Sequence, residues 1–174
     1  MKVPVSDLCA MVSPRDYEVS LANSSLELQG TEFVPRAESH VRLRLRRNGA
    51  HIEVEGEIFA QLQAPCARCL ADSSTSIRVT VDDQWPVCGT KVEAADLLTF
   101  PFMEEDGRVV NLGEYGTALL MESLPVRVLC DVECRGLCPT CGANLNEDVC
   151  TCGKREVDPR LAVLGRLLNK PGIS

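Results

Sequence analysis

Ten cysteines stand in a chain of 174 residues, and eight of them fall into close pairs. Cys66 and Cys69 enclose Ala67-Arg68, and Cys138 and Cys141 enclose Pro139-Thr140, with Gly142 next in line. Cys130 and Cys134 lie four apart, and Cys150-Thr151-Cys152 completes the set. Thiolates two to four residues apart can share one Zn²⁺ ion, and four of them surround it as a tetrahedron at about 2.3 Å. Four pairs therefore supply two complete sites. The favoured partition gives Cys66, Cys69, Cys130 and Cys134 to one ion and Cys138, Cys141, Cys150 and Cys152 to the other. In the second set, Gly142 relieves crowding where backbone amides turn toward sulfur. A competing partition makes one local site of Cys130, Cys134, Cys138 and Cys141 and leaves the outer pairs to share a metal or stay free. Cys9 and Cys88 stand alone and read as buried or incidental thiols.

Ligand sets made wholly of thiolate point to structural zinc, because catalytic zinc keeps an open position and usually has a histidine. His40 and His51, the two histidines, sit in a predicted hairpin far from the cysteine-rich segment and read as surface residues. The expectation is a non-enzymatic protein with two structural ions. Disulfides are the rival use of so many cysteines. The start, MKVPVSDLCAMVSPRDYEV, is not a signal peptide, so an oxidising compartment is not expected and the chain reads as cytoplasmic and bacterial in type.

The elements that must carry these pairs are strands. His40–Arg47 alternates apolar with basic residues, Asn48-Gly49 follows, and His51–Glu57 alternates apolar with acidic residues. Asn-Gly between alternating runs predicts a hairpin with a type I′ turn. A turn at those two residues pairs Arg47 with Ala50, Leu45 with Ile52 and Leu43 with Val54 on the buried side. Arg44 then faces Glu53, and Arg42 faces Glu55, on the solvent side. The second strand runs on through Phe59 and Leu62 to Pro65, and Ser74–Asp82 alternates again. A second hairpin therefore carries Cys66 and Cys69 at its tip.

Residues 17–34 read as further short strands, and 88–110 as an acidic loop whose Phe100-Pro101-Phe102 packs locally or docks a partner. Asn111-Leu-Gly-Glu114 resembles a capping box that opens a helix ending at Pro125. Asp158-Pro159 opens a short C-terminal helix. The expected class is α+β and β-rich. It comprises an antiparallel β-meander with one central helix, a C-terminal zinc knuckle or ribbon, and the short last helix. Two units are expected, 1–128 carrying the hairpin tip and 129–174 carrying the remaining cysteines.

Apolar residues make up 45% of the chain and aromatics 4%, so the core must come mainly from Leu, Val, Ile and Ala. No run approaches the roughly 18 apolar residues of a membrane helix. A net charge of −7 disfavours whole-molecule binding to a phosphate backbone and favours a basic protein partner. Local RNA contact is left to Lys154, Arg155, Arg160, Arg166 and Lys170, opposed only by Glu156 and Asp158. The hairpin arginines are expected to be neutralised across the strands.

Several motifs in order resemble the YceD family of large ribosomal RNA subunit accumulation proteins. They are Cys66-Ala-Arg-Cys69-Leu70, the acidic loop, the Asn111–Leu124 helix ending in Leu-Pro, and Leu129-Cys through Cys134-Arg-Gly-Leu-Cys138-Pro-Thr-Cys141-Gly-Ala-Asn-Leu-Asn146. Cys150-Thr-Cys152 and Asp158-Pro-Arg-Leu-Ala-Val-Leu164 complete the likeness, which covers residues 15–168. It implies a role in synthesis, processing or stability of large-subunit ribosomal RNA. The partner would be a large-subunit ribosomal protein or assembly intermediate, and the likeness supplies no active site. A thiol redox or zinc-responsive regulatory protein is the alternative. Against the redox reading, the first CxxC falls in a β-hairpin rather than at a strand-to-helix junction.

Overall fold

The computed structural model describes residues 1–21, 24–85, 102–104 and 108–152. The strands are β1 (Lys2–Pro4), β2 (Arg15–Ser20), β3 (Leu26–Leu28), β4 (Thr31–Pro35), β5 (His40–Asn48), β6 (His51–Pro65), β7 (Asp72–Trp85), β8 (Met103–Glu104) and β9 (Val109–Asn111), of which β2 to β7 fall where alternation predicts them. Among the described residues two helices join them, α1 (Val5–Cys9) and α2 (Leu112–Glu122). All pairings among the described residues are antiparallel. β6 is the spine. It pairs with β7 from Ile52 to Pro65 along one edge, and with β5 and then β4 along the other. β2 extends the sheet beyond β5, and β3 extends it beyond β4.

Period-two burial fixes the inner face. Ile52, Val54, Ile58, Ala60, Leu62 and Ala64 of β6 are buried beside Val41, Leu43 and Leu45 of β5 and Ile77, Val81 and Trp85 of β7. The first hairpin is corrected in register by two residues. Asn48 pairs with His51, Leu45 with Val54, Arg44 with Glu55 and Arg42 with Glu57. The loop is Gly49-Ala50, and Gly49 takes φ +63° while Ala50 does not turn positive. This is what a type II′ turn requires, with glycine at its first loop position. A slip of two residues leaves every side chain on its predicted face.

Asn111 caps α2, its Oδ1 accepting from the amides of Gly113 at 3.2 Å and Glu114 at 3.4 Å. The helix ends at Glu122, two residues before Leu124-Pro125, and buries Leu112, Tyr115, Gly116 and Leu120. Three of the seven aromatics gather in one place. Trp85, Phe102 and Tyr115 lie 4.7–5.2 Å apart between ring centres, and Asp83 accepts from the Trp85 indole and the Tyr115 hydroxyl. Phe102 thus packs locally.

Part of the stretch expected as an acidic loop is strand. β9 pairs with β8 and with β1, whose partnership with a segment more than a hundred residues away was not predicted. The rest of the acidic loop, the C-terminal helix and Cys88 lie outside the described residues. Cys9, expected as a buried or incidental thiol, is disulfide-bonded. Among the described residues no helix is long and apolar enough to cross a membrane.

Candidate metal centre

β6 and β7 are joined by residues 66–71, which fold into a tight knuckle rather than a simple turn. The Cys66 amide donates to the Ala71 carbonyl at 2.8 Å, and the Leu70 amide donates back to the Cys66 carbonyl at 2.9 Å. Closing so small a loop forces Leu70 into the left-handed region, φ +62°. The Arg68 amide then points at the Cys66 sulfur, 3.4 Å away.

The segment after α2 is laid against this tip. Val128 accepts from the Ala67 amide at 2.8 Å, and the Leu137 amide donates to the Arg68 carbonyl at 3.1 Å. The Arg68 guanidinium reaches across to the carbonyls of Cys134 at 2.8 Å and Val132 at 3.3 Å. These contacts carry Cys130 and Cys134 to the hairpin cysteines. The Cys66 and Cys134 sulfurs stand 3.8 Å apart, and those of Cys69 and Cys130 stand 3.5 Å apart.

A second knuckle repeats the first. The Gly142 amide donates to the Cys138 carbonyl at 2.9 Å, Gly142 has φ +75°, and the Thr140 amide points at the Cys138 sulfur from 3.4 Å. The chain returns through residues 143–149, and the Cys150 sulfur comes within 3.3 Å of Cys138 and 3.7 Å of Cys141. The Cys152 amide donates to the Cys150 sulfur at 3.3 Å.

Two sets of four sulfurs result, Cys66/Cys69/Cys130/Cys134 and Cys138/Cys141/Cys150/Cys152, each with all sulfurs within 4.8 Å of one another. The eight-cysteine pairing follows the favoured partition, and all eight thiols are free of disulfides. A tetrahedron with bonds of about 2.3 Å has edges of about 3.8 Å. Sulfur separations of 3.3–3.8 Å are near that value and far from the roughly 2.05 Å of a disulfide. The clusters fit a four-coordinate metal ion.

The electrostatics agree. Backbone amides, that of Cys130 foremost with Arg68 and Cys69 adding to it, lower the Cys66 thiol to about 6 against the opposing effect of burial. The sulfur neighbours of Cys130, led by Cys134, push it up to about 12. The outer set behaves alike. The amides of Cys141 and Thr140 bring Cys138 to about 6, and Cys141 leads the sulfurs that raise Cys152 to about 12. In each cluster some thiols are lowered and others raised by their sulfur neighbours, a conflict between crowded negative charges that a bound cation would remove.

The remaining site expectations fare differently. Lys154, Arg155, Arg160, Arg166 and Lys170 lie outside the described residues. Three of the four hairpin arginines are neutralised, mostly by β2 instead of β6, whereas Arg47 donates to the Gly49 and Cys9 carbonyls. Arg44 grips Asp16 with two hydrogen bonds at 2.7 and 3.0 Å, and Arg42 pairs with Glu18, while Arg46 meets Glu53. His51 is exposed and His40 half-buried, near no cysteine cluster. Two residues escaped sequence reasoning, Arg68 and Asn146. The first was legible as the arginine inside the CxxC pair, whereas the second carried no signal.

A family model described as large ribosomal RNA subunit accumulation protein YceD matches residues 54–168, a span that contains all eight cluster cysteines. A protein of Arabidopsis thaliana named large ribosomal RNA subunit accumulation protein YCED homolog 1, chloroplastic, is 32% identical over 76 residues, 44% of this chain and 23% of its own length. Its namesake in Zea mays is 23% identical over 173 residues, 82% of this chain and 57% of the relative. An uncharacterized protein of Mycobacterium leprae is 31% identical over 148 residues, 78% of this chain and 61% of the relative. The chain thus spans less than two thirds of each of these relatives. No solved structure matches it.

Proposed function

The chain belongs to the YceD family of large ribosomal RNA subunit accumulation proteins, and from that premise we propose that it is a non-enzymatic ribosome biogenesis factor. It supports synthesis, processing or stability of large-subunit ribosomal RNA as a zinc-stabilised binding protein of the bacterial cytoplasm. The observation that carries this reading is the family match over a span that includes both sulfur clusters.

Cys66, Cys69, Cys130 and Cys134 hold one Zn²⁺ and Cys138, Cys141, Cys150 and Cys152 the other. Zinc supplies cross-links here. A site closed by four thiolates leaves no position for water or substrate, which supports a structural role. Binding of structural zinc is worth roughly 10–16 kcal/mol of apparent free energy, and it becomes folding energy where little apolar core exists. Residues 129–152 are such a place, with turns and one isolated bridge, Leu137 to Asn144, as their only regular pairing among the described residues. A net charge of −7 supports a basic partner, a large-subunit ribosomal protein or an assembly intermediate. Contact with ribosomal RNA through the Lys154–Lys170 basic residues is the second arm of the proposal.

The test is a crosslinking pull-down of tagged protein from growing cells, with metal content measured on the same sample. The expected result is about two zinc ions per chain with large-subunit precursors or ribosomal proteins attached. Recovery of neither would overturn the assembly role. A metal-free protein with a reducible disulfide at Cys66–Cys69 would replace it with the thiol redox alternative.

A further inference from the structure

Asn146 belongs to the loop closed by the outer cysteine set, yet its side chain is spent on the inner one. Its Nδ2 donates to the Cys134 sulfur at 3.3 Å and to Asn144 Oδ1 at 2.8 Å, while its Oδ1 accepts the Arg135 amide at 2.7 Å. The bond to Arg135 fixes which end of the amide faces sulfur, since only the nitrogen end can donate. The inner cluster thereby receives one hydrogen bond from outside its own two segments.

Asn146 sits in the loop that the outer cysteines close. Its loop starts at Cys138/Cys141 and ends at Cys150/Cys152. Within it, Asn144 Oδ1 accepts the Asn146 amide at 3.1 Å, and the Asn144 carbonyl accepts the amides of Glu147 at 3.1 Å and Asp148 at 2.7 Å. Across to the inner segment run the Asn146 bonds, the Leu137–Asn144 bridge and the Leu145 amide on the Gly136 carbonyl at 2.9 Å. Donors to a ligating sulfur tune metal affinity, and removing such a partner typically costs 10–100-fold.

We propose that Asn146 couples the two cysteine sites, so that closing the outer site around its ion holds the carboxamide on Cys134 and tightens the inner site. Reciprocity then requires the filled inner site to tighten the outer one by the same factor. This inference rests on the metal-binding reading above.

Co²⁺ titration of the full chain under reducing conditions tests it, with thiolate–cobalt absorption reporting occupancy and a competing chelator setting affinity. Cys150→Ser/Cys152→Ser keeps the inner four cysteines, and Cys66→Ser/Cys69→Ser keeps the outer four, which assigns the two binding steps. The inner site should lose about tenfold in affinity in the first of these variants and about tenfold in Asn146→Ala. Combining Asn146→Ala with Cys150→Ser/Cys152→Ser should cost little more than either. Asn146→Asp should lose at least as much as Asn146→Ala. It retains the acceptor for Arg135 but puts a carboxylate where sulfur needs a donor. Wild-type inner affinity in both Asn146 variants, or losses that multiply in the combination, would overturn the coupling and leave the two ions in place. A wild-type chain that takes up no cobalt would overturn the metal reading and this inference together.

Discussion

The inner and outer knuckles, Cys66–Leu70 and Cys138–Gly142, share a spacing, an amide-to-carbonyl closure, an amide on the first sulfur and a left-handed fifth residue. They differ in where the second pair comes from. Sulfur neighbours in the inner set are 61 and 68 residues apart, against 9 and 12 in the outer set. The inner set consequently fastens the sheet to the segment after α2 and is buried at Cys66, Cys69 and Cys134. The outer set fastens a surface loop to itself and buries only Cys138. The same local chemistry thus serves as a long-range clamp in one place and a loop staple in the other.

The sharpest way to break this comparison is to remove one ligand from each. Cys134→Ser should release one ion and cost about 3 kcal/mol or more of stability, lowering the midpoint by roughly 6–12 °C. Cys150→Ser should also release one ion yet move the midpoint of the sheet by under about 3 °C, because an exposed loop opens locally. Metal analysis beside thermal unfolding followed by Trp85 fluorescence decides the matter, and equal midpoints would erase the distinction.

Arg68 comes next, because it holds the inner clamp without being a ligand. Arg68→Ala strips two carbonyls of their donor and should cost about 1–3 kcal/mol in urea unfolding. Chelator should also extract the inner ion faster. The outer loop has no equivalent residue, and Thr140→Ala, at the matching position, should be near neutral.

Smaller effects separate the backbones. Gly136 has φ +76°, and a Cβ there would stand 3.1 Å from the Arg68 carbonyl oxygen, inside the clamp. Gly142 has φ +75° with nothing within 4 Å. Both alanine variants bear the left-handed cost of about 1–2 kcal/mol, and Gly136→Ala should exceed Gly142→Ala by the added contact. Equal losses would mean that the inner clamp yields as easily as the outer loop.

Smallest of all is Asp16→Asn, on the sheet away from both clusters. The Arg44 guanidinium holds the Asp16 carboxyl below its ordinary range. Its contribution is therefore present above the unfolded carboxylate pKa and disappears as pH falls through the lower folded value. Both groups are exposed, so neutral-pH stability should barely move, and the small difference from wild type should vanish in acid.

The cysteine partition was legible because ligand number and pair spacing leave few combinations. Strand β6 was legible because alternation persists from Ile52 to Ala64, and the cap of α2 because Asn111 directly precedes its first turn. The hairpin register was not. Asn-Gly permits either residue to open the turn, and shifting by two preserves every face, so periodicity cannot choose. Nor could β1 be paired with β9, since a three-residue strand has too little pattern to name its partner. Asn146 was invisible for another reason. Its part depends on the loop returning to Cys134, a tertiary event that no local spacing encodes.

Long separation within the inner clamp also sets a timetable during synthesis. Cys134 follows Cys69 by 65 residues, so at about 5–20 residues per second the hairpin thiols wait roughly 3–13 s for their second pair. Through that interval two reactive sulfurs sit at the end of a nearly finished hairpin, open to oxidants and to mismatched metals. The outer loop, complete within fifteen residues from Cys138 to Cys152, is spared most of that exposure. On the proposed metal-binding reading, newborn chains deprived of metal should therefore be damaged first at Cys66 and Cys69.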